Sequence, residues 1–227
     1  MSSKRVKESY KLVDKNKTYG LKEIISVLKK APGVKFDQTV ELAFNLDIDP
    51  KQSDQLVRGT VILPHGAGKN IRVIVFCRGE KQNEAREAHA NEVGAEDLIK
   101  KVTDGWLSFD VAIASPEMMR ELSKLGKILG PRGLMPNPKA GTVTQEISKA
   151  VKEAKAGKVE FKTDKAGNIN LAIGKISFSD VQIIENIKSV ITALNASRPS
   201  SVKGRFIKNL SVSTTMGPGL KLDISKI

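Results

Sequence analysis

Residues 36–48 read FDQTVELAFNLDI, and apolar side chains occupy the even-numbered positions from Phe36 to Ile48, with Gln38 as the exception. The odd-numbered positions between them are mostly polar. A period of two is typical of a β-strand with one face buried and one face in water. The segment therefore predicts a half-buried strand, and its apolar phase would carry Phe36 into the core.

Similar alternating segments occur in the last third of the chain. Apolar residues alternate over 159–161 and again over 169–173, on either side of a turn, which predicts a β-hairpin. Another alternating strand is predicted over 210–216. Two amphipathic helices are predicted beside these strands, over 21–28 and 183–194, and Ser179 with Gln182 forms a capping box at the start of the second helix.

The middle of the chain has a different pattern. Residues 71–77 read IRVIVFC and residues 109–114 read FDVAIA, two nearly continuous apolar runs of the kind found in parallel sheets buried on both faces. Helical patterns lie between and after them. The last of these helices, over 143–154, is predicted to begin at a capping box formed by Thr142 and Gln145.

These two patterns predict two kinds of sheet in one chain. We expect an α+β outer domain with an antiparallel sheet, formed by residues 1–67 and 159–227. It would be interrupted by an inserted α/β domain of Rossmann-like three-layer architecture, formed by residues 68–158.

The charge balance indicates a polyanionic partner. The 227 residues carry a net charge of +13 with a pI near 9.7. Basic residues exceed acidic ones by 12 to 8 over residues 1–66 and by 10 to 5 over residues 159–227. A strongly basic protein of this kind favours nucleic acid as its partner.

The sequence lacks the marks of secretion or membrane insertion. A single cysteine, Cys77, excludes a disulfide within one chain and suits a reducing cytosol. No signal-peptide core and no run of about 18 apolar residues is present. We therefore expect a cytoplasmic protein with no membrane partner.

Catalytic and nucleotide-binding motifs are weak. The two histidines, His65 and His89, fall in different predicted domains, and no His/Cys spacing suits a metal. The GAGK run at 66–69 resembles a phosphate loop, but Leu63 stands where the Walker motif needs glycine. The sequence predicts no enzyme, no metal and no cofactor. A nucleotide-binding or enzymatic use of the middle domain is the alternative, and a nucleic-acid chaperone acting through charge alone is a third class.

Residues 129–141 read LGPRGLMPNPKAG, with three glycines, three prolines, two basic residues and no acid. Proline fixes its own φ and disfavours helix at the residue before it, so the segment predicts a shaped loop. Gly130–Gly133 also matches the GXXG of KH domains. Pro136 and Pro138 prevent the helix that should follow such a motif, so this match is a false positive.

Residues 126–141, followed by Thr142-Val143-Thr144, resemble the signature of the large-subunit ribosomal protein L-one family in its bacterial form. The resemblance extends along nearly the whole chain, and it implies the interrupted two-domain fold. It also implies a non-enzymatic protein that binds large-subunit (23S) rRNA and forms the mobile stalk near the exit-site tRNA. There it would assist release of deacylated tRNA, and it would repress translation of its own operon by binding that mRNA. Free of the ribosome, it would be a monomer.

The resemblance further implies RNA contacts in three segments of the outer domain. The implied residues are Lys35, Phe36, Thr39, Glu41, Lys162, Asp164, Lys165, Lys175, Thr214, Thr215, Met216 and Gly217. Lysines supply charge for phosphates, while hydroxyl and backbone groups suit ribose 2′-OH groups and base edges. By alternation alone, Phe36, Thr214 and Met216 would be core residues. Asn209 departs from the family, which often has a small hydroxyl residue there.

Overall fold

The protein is described by a computed structural model that covers residues 4–14, 17–202 and 204–224, with Ser53 described by its backbone only. It is a mixed α/β protein with a four-stranded antiparallel sheet, a three-stranded parallel sheet and a separate two-stranded sheet. The chain divides into two compact units. Unit 1 comprises Met1–Gly68 and Val159–Ile227, and unit 2 comprises Lys69–Lys158.

Helices and strands are interspersed along the chain. The helices are α1 Lys4–Lys11, α2 Leu21–Lys30, α3 Lys81–Glu87, α4 Glu96–Thr103, α5 Met119–Leu122, α6 Gly126–Leu129, α7 Ile147–Lys155 and α8 Asp180–Ala196. The strands are β1 Thr39–Leu46, β2 Arg58–Ile62, β3 Val73–Phe76, β4 Glu92–Gly94, β5 Val111–Ala114, β6 Lys158–Lys162, β7 Asn168–Lys175, β8 Ile207–Thr214 and β9 Leu220–Lys221. Short 3₁₀ segments lie at 53–55, 116–118, 123–125 and 138–140.

Strand β1 lies inside the four-stranded sheet of unit 1, whose order is β7-β1-β8-β9. Both of its neighbours run antiparallel to it, and Glu41 faces Ala172 on one side and Ser213 on the other. The even-numbered side chains of β1 are buried in one cluster with α2 and α8, while the odd-numbered ones are exposed or half-buried. The prediction of a half-buried strand is thus confirmed over Val40–Leu46.

The expectation that Phe36 belongs to the core is wrong, because β1 begins only at Thr39 and Phe36 is 53% exposed. Gln38 is buried in the approach to the strand, and its side-chain oxygen accepts a hydrogen bond from the amide of Met216 at 3.0 Å. The alternation of buried and exposed side chains therefore begins at Gln38 and does not include Phe36.

The predicted hairpin between β6 and β7 is also wrong, because β6 pairs with β2 in a separate two-stranded sheet. The amide of Thr163 donates to the carbonyl of Val57 at 3.0 Å, which extends this pairing beyond β6. Alternation shows that a segment is a strand, but it does not choose between partners.

Unit 2 is a three-layer arrangement around the parallel sheet β4-β3-β5. All four residues of β3 are buried: Ile74 and Phe76 pack in a cluster with α4, α5 and α6, and Val73 and Val75 pack in another with α3 and α7. The prediction of strands buried on both faces is confirmed for β3. The short strand β4 was not predicted, because Glu92-Val93-Gly94 has no apolar periodicity.

The predicted capping box of Thr142 and Gln145 is wrong. Helix α7 begins later, at Ile147, and its N-cap residue makes no side-chain cap. The Thr142 hydroxyl instead accepts a hydrogen bond from the amide of Asn137 at 2.7 Å, and Val143 forms a parallel bridge with Ala114. By contrast, the capping box of Ser179 and Gln182 on α8 is confirmed.

Across residues 4–14, 17–202 and 204–224, the helices are all too short or too polar to span a lipid bilayer.

Candidate RNA-binding surface

Three distant segments meet at the N-terminal end of β1, around Thr39. The amide of Thr39 donates to the hydroxyl of Thr215 at 3.0 Å, and the amide of Thr215 donates to the carbonyl of Thr39 at 3.0 Å. On the other side, the Lys175 ammonium donates to the Thr39 hydroxyl at 2.9 Å. We call Thr39, Lys175 and Thr215 the threonine junction.

The turn after β8 contributes Thr215 to the threonine junction. Its tip is closed by a hydrogen bond from the amide of Gly217 to the carbonyl of Thr214 at 3.0 Å. A Cβ atom on Gly217 would lie 2.2 Å from the Thr214 hydroxyl oxygen, so the turn requires glycine at this position. The turn exposes Thr215 and Met216, and Met216 is 46% exposed. Alternation alone would have placed Met216 in the core, and that reading is wrong because β8 ends at Thr214.

Thr214 itself is 3% exposed, and its hydroxyl makes no hydrogen bond to any described residue. Its side chain packs under the turn beside Gly217 and does not face solvent. The structure thus places Thr215 and Met216 on the surface, and Thr214 beneath them as a support. The expectation from alternation that Thr214 is a core residue is confirmed.

The loop before β1 lies at the same end of the sheet. Lys35 and Phe36 are exposed, and Asp37 fixes the loop because its carboxylate accepts hydrogen bonds from the amide of Ser177 at 3.2 Å and its hydroxyl at 2.7 Å. Glu41 is exposed on the polar face of the sheet, two residues into β1. This end of unit 1 therefore combines exposed cationic, apolar and hydroxyl groups.

A second group of implied residues surrounds the turn between β6 and β7. The Asp164 carboxylate accepts hydrogen bonds from the amides of Ala166 and Asn168, both at 2.8 Å, and these bonds hold the pKa of Asp164 below its usual value. Lys162 and Lys165 are exposed on either side. Asp164 therefore shapes the turn that presents the two lysines.

These two groups lie at opposite ends of the sheet. Thr39 faces Lys175 at one end of the β1–β7 pair, and Asn45 faces Asn168 at the other. Six steps of strand separate the two ends, which corresponds to about 20 Å. The structure therefore does not gather the twelve implied residues into one cluster.

The polar face of the sheet connects the two groups, and sequence reasoning named Glu41 and Asn209 on it but not Asn45, Asn168, Asn170 or Ser211. One row across three strands consists of Asn168, Asn45 and Asn209. The side-chain amide of Asn45 donates a hydrogen bond to the side-chain oxygen of Asn168 at 2.8 Å. This row continues into a shallow depression that also involves Asn170 and Ser211. The odd-numbered positions of β1 predicted that this face lies in water, but not which strands complete it.

The histidine and cysteine considered as catalytic candidates are held in contacts that stabilise the fold. His65 contacts the carboxylate of Glu185, and its amide donates to the side chain of buried Asn186 at 3.2 Å. Cys77 is buried, and burial raises the pKa of its thiol to about 11, so it is not an activated nucleophile. Within the described parts of the chain, no group of three or more His, Cys, Asp or Glu residues could hold a metal ion.

Comparison with known proteins agrees with this non-catalytic surface. Residues 27–218 match the Ribosomal protein L1p/L10e family. The chain is 53% identical over 222 residues to the large ribosomal subunit protein uL1 of Protochlamydia amoebophila (strain UWE25), covering 98% of this chain and 94% of that protein. It is 54% identical over 228 residues to the same protein of Persephonella marina (strain DSM 14350 / EX-H1), covering 99% and 94%. The chain therefore belongs to the Ribosomal protein L1p/L10e family, whose members are structural proteins and not enzymes.

Proposed function

We propose that this protein is a structural constituent of the large ribosomal subunit in the cytoplasm, and that it binds 23S rRNA directly through unit 1. Its relatives carry the name of that subunit's protein uL1. The observation that carries the RNA-binding proposal is the threonine junction. At the end of the sheet where this junction lies, two apolar side chains, Phe36 and Met216, are exposed, as are Lys35 and the Thr215 side chain.

The chemistry of this end suits a structured RNA. Lys35 and Lys175 supply positive charge for phosphates. The Thr215 hydroxyl and the backbone at Gly217 can bond ribose 2′-OH groups and base edges exposed in the shallow groove of A-form RNA. Phe36 and Met216 can pack on a sugar or base. Glu41 cannot bind phosphate, so its role in the proposal is to accept a hydrogen bond from a base or to orient a lysine.

The separation of the two groups suggests the size of the RNA. A stem-loop that binds the threonine junction and also reaches Lys162 and Lys165 must cross about 20 Å of sheet. The asparagine row and Ser211 lie along that path and offer donors and acceptors without charge. Neutral amides can hydrogen-bond to ribose and bases, whereas the lysines at each end neutralise phosphates.

The domain assignment belongs to the same proposal. Residues 1–67 and 159–227 form the discontinuous RNA-binding domain, and residues 68–158 form the inserted α/β domain. This assignment is supported by the separate buried clusters of the two units, since the large cluster of unit 1 draws on both ends of the chain.

The finer functions follow from the family resemblance. We propose that the protein forms the mobile stalk beside the exit-site tRNA and assists its release. We also propose that it represses its own operon by binding the mRNA with the same surface of unit 1. Because one surface serves both RNAs, the operon mRNA and the rRNA fragment should compete for the free monomer.

The decisive experiment is the double variant Thr215→Val/Met216→Ala, assayed for binding to a large-subunit rRNA stalk fragment. We expect the Kd to rise by at least about tenfold, equivalent to about 1.4 kcal/mol. The control is Ile62→Ala in β2, because Ile62 is 47% exposed and matches Met216 in exposure. Unchanged affinity of the double variant would show that this turn is not part of the RNA-binding site.

A further inference from the structure

The surface of unit 2 has a basic line of its own, along the segment from α5 to α6. Arg120, Lys124 and Lys127 are exposed and spaced by four and three residues, so they share one face of a nearly continuous helical segment. The opposite face is buried through Leu122 and Leu125. We call Arg120, Lys124 and Lys127 the basic stripe, and seven helical steps give it a length of about 10 Å.

The glycine- and proline-rich loop continues this basic surface with Arg132 and Lys139, which are both exposed. The loop is well organised. The amide of Leu134 donates to the carbonyl of Leu129 at 3.0 Å, and the side chain of Asn137 accepts from the amide of Lys139 at 2.8 Å. Cations on an ordered support lose less conformational freedom on binding than cations on a mobile loop.

Unit 2 leaves these basic residues without ion pairs while it pairs many of its others, although exposed Glu117 lies three residues before Arg120 at the start of the same face. Residues 122–145 contain four basic residues and no acid. Neighbouring Glu121 is engaged by Arg78 at 2.8 Å. In the part of the chain that the structure describes, the basic stripe, Arg132 and Lys139 form no side-chain ion pair. Elsewhere in unit 2, Lys69 and Arg72 share Asp110, and Lys158 pairs with Glu153.

The composition of the surface indicates what it binds. Among the described residues, every large hydrophobic side chain that is exposed belongs to unit 1. Protein partners generally bury a core of apolar and aromatic side chains. The large hydrophobic side chains near this surface, Ile128, Leu134 and Met135, are half-buried against the core of unit 2 and present little apolar area. A nucleic-acid backbone needs only positive charge and hydrogen-bond donors.

We infer that the basic stripe, together with Arg132 and Lys139, forms a second RNA contact that binds backbone phosphates without reading sequence. This inference rests on the proposed function, because the RNA concerned is the one that unit 1 recognises. The stripe would add affinity and salt dependence to binding, while unit 1 supplies the specificity.

The test compares two triple variants of the full chain. One is Arg120→Gln/Lys124→Gln/Lys127→Gln. The matched control is Arg86→Gln/Lys100→Gln/Lys152→Gln, which removes the same three charges from exposed positions on α3, α4 and α7. Glutamine is a good helix former, so both variants should keep the fold, and circular dichroism checks this.

The readout is the slope of log K against log[salt] for a protein-free rRNA stalk fragment and for a random-sequence RNA duplex. Loss of three phosphate contacts should flatten the slope by about 2 to 3 for both RNAs, while the control changes it by less than about 1. Equal slopes for the two triple variants would overturn the inference and favour a solvated face.

The same titration separates the inference from the proposed function. If the unmodified protein shows no preference for the rRNA fragment over the random duplex, the proposed function fails. The slopes measured on the duplex still decide whether the basic stripe binds phosphates.

Discussion

Gly217 shows how a single hydrogen atom shapes the proposed RNA surface. A methyl group at this position would overlap the Thr214 hydroxyl, which lies 2.2 Å from the ideal Cβ position. The backbone of Gly217 is not left-handed, so the requirement for glycine is steric and not conformational. The turn therefore depends on the close approach of Gly217 to a buried threonine.

We predict that Gly217→Ala displaces the turn, lowers the free energy of unfolding by about 1 to 3 kcal/mol and weakens RNA binding. The matched control is Gly219→Ala, because no atom lies within 4 Å of its Cβ position. Chemical denaturation and RNA titration measure the two effects.

The cause can be tested by a double-mutant cycle with Thr214→Ala, which removes the clashing oxygen. If steric overlap is the reason, the two substitutions together should cost less than the sum of their separate costs. Additive costs would assign the loss to another cause.

At the scale of the elements, Asp110 connects the segment that leads into β3 with the start of β5. Its carboxylate accepts hydrogen bonds from the Lys69 ammonium at 2.6 Å and from the amide of Arg72 at 3.1 Å. These interactions, led by the hydrogen bond from Lys69, lower the pKa of Asp110 from 3.8 to about 2. The two donors, Lys69 and Arg72, both precede β3 and hold the Asp110 carboxylate in its charged form.

A lowered pKa in the folded protein stabilises unit 2 above about pH 4, and this stabilisation is lost as the pH falls from 3.8 towards 2. We predict that Asp110→Asn lowers the free energy of unfolding at pH 7 by on the order of 1 to 2 kcal/mol. The variant should also show a weaker pH dependence than the unmodified protein in that interval. Asp104→Asn, at an exposed position of the same unit, serves as the control. Parallel pH curves for Asp110→Asn and the unmodified protein would contradict the assignment.

Sequence periodicity predicted the elements far better than the contacts between them. Alternation identified β1 from Val40 to Leu46, and a continuous apolar run identified β3, because burial of one or both faces is written into residue type. The pairing of β6 with β2 was not predictable, since strands of equal period are interchangeable partners.

The candidate surface was predictable only in part, for the same reason. The hydrogen bond between Thr39 and Thr215 joins residues 176 positions apart, and neither threonine is unusual in its local sequence. Only the family resemblance indicated that these residues belong together. Whether they bind RNA stays a prediction, as does the division of roles between the two units.

At the scale of the whole molecule, each unit has its own hydrophobic core. The large cluster of unit 1 lies entirely within its two chain segments, and the two clusters of unit 2 lie within residues 71–154. A chain that joins residues 1–66 to 159–227 through a short Gly/Ser linker should therefore fold cooperatively.

We predict that this shortened chain keeps its preference for the rRNA stalk fragment over random duplex RNA, but with a flatter salt slope than the full chain. The preference should remain because the threonine junction is intact, and the slope should flatten because the basic stripe is gone. Loss of the preference in a folded shortened chain would move the specific site to unit 2.

The position of β1 inside its sheet has a consequence for how the protein is made. Thr39 and its partner Lys175 are 136 positions apart, so at about 5 to 20 residues per second β1 waits on the order of 10 seconds for its neighbours. During that time both edges of a strand with one apolar face are unpaired, which favours aggregation. Unit 2 is contiguous and can fold first. In the nascent chain, β1 is therefore the segment that a chaperone has most reason to shield.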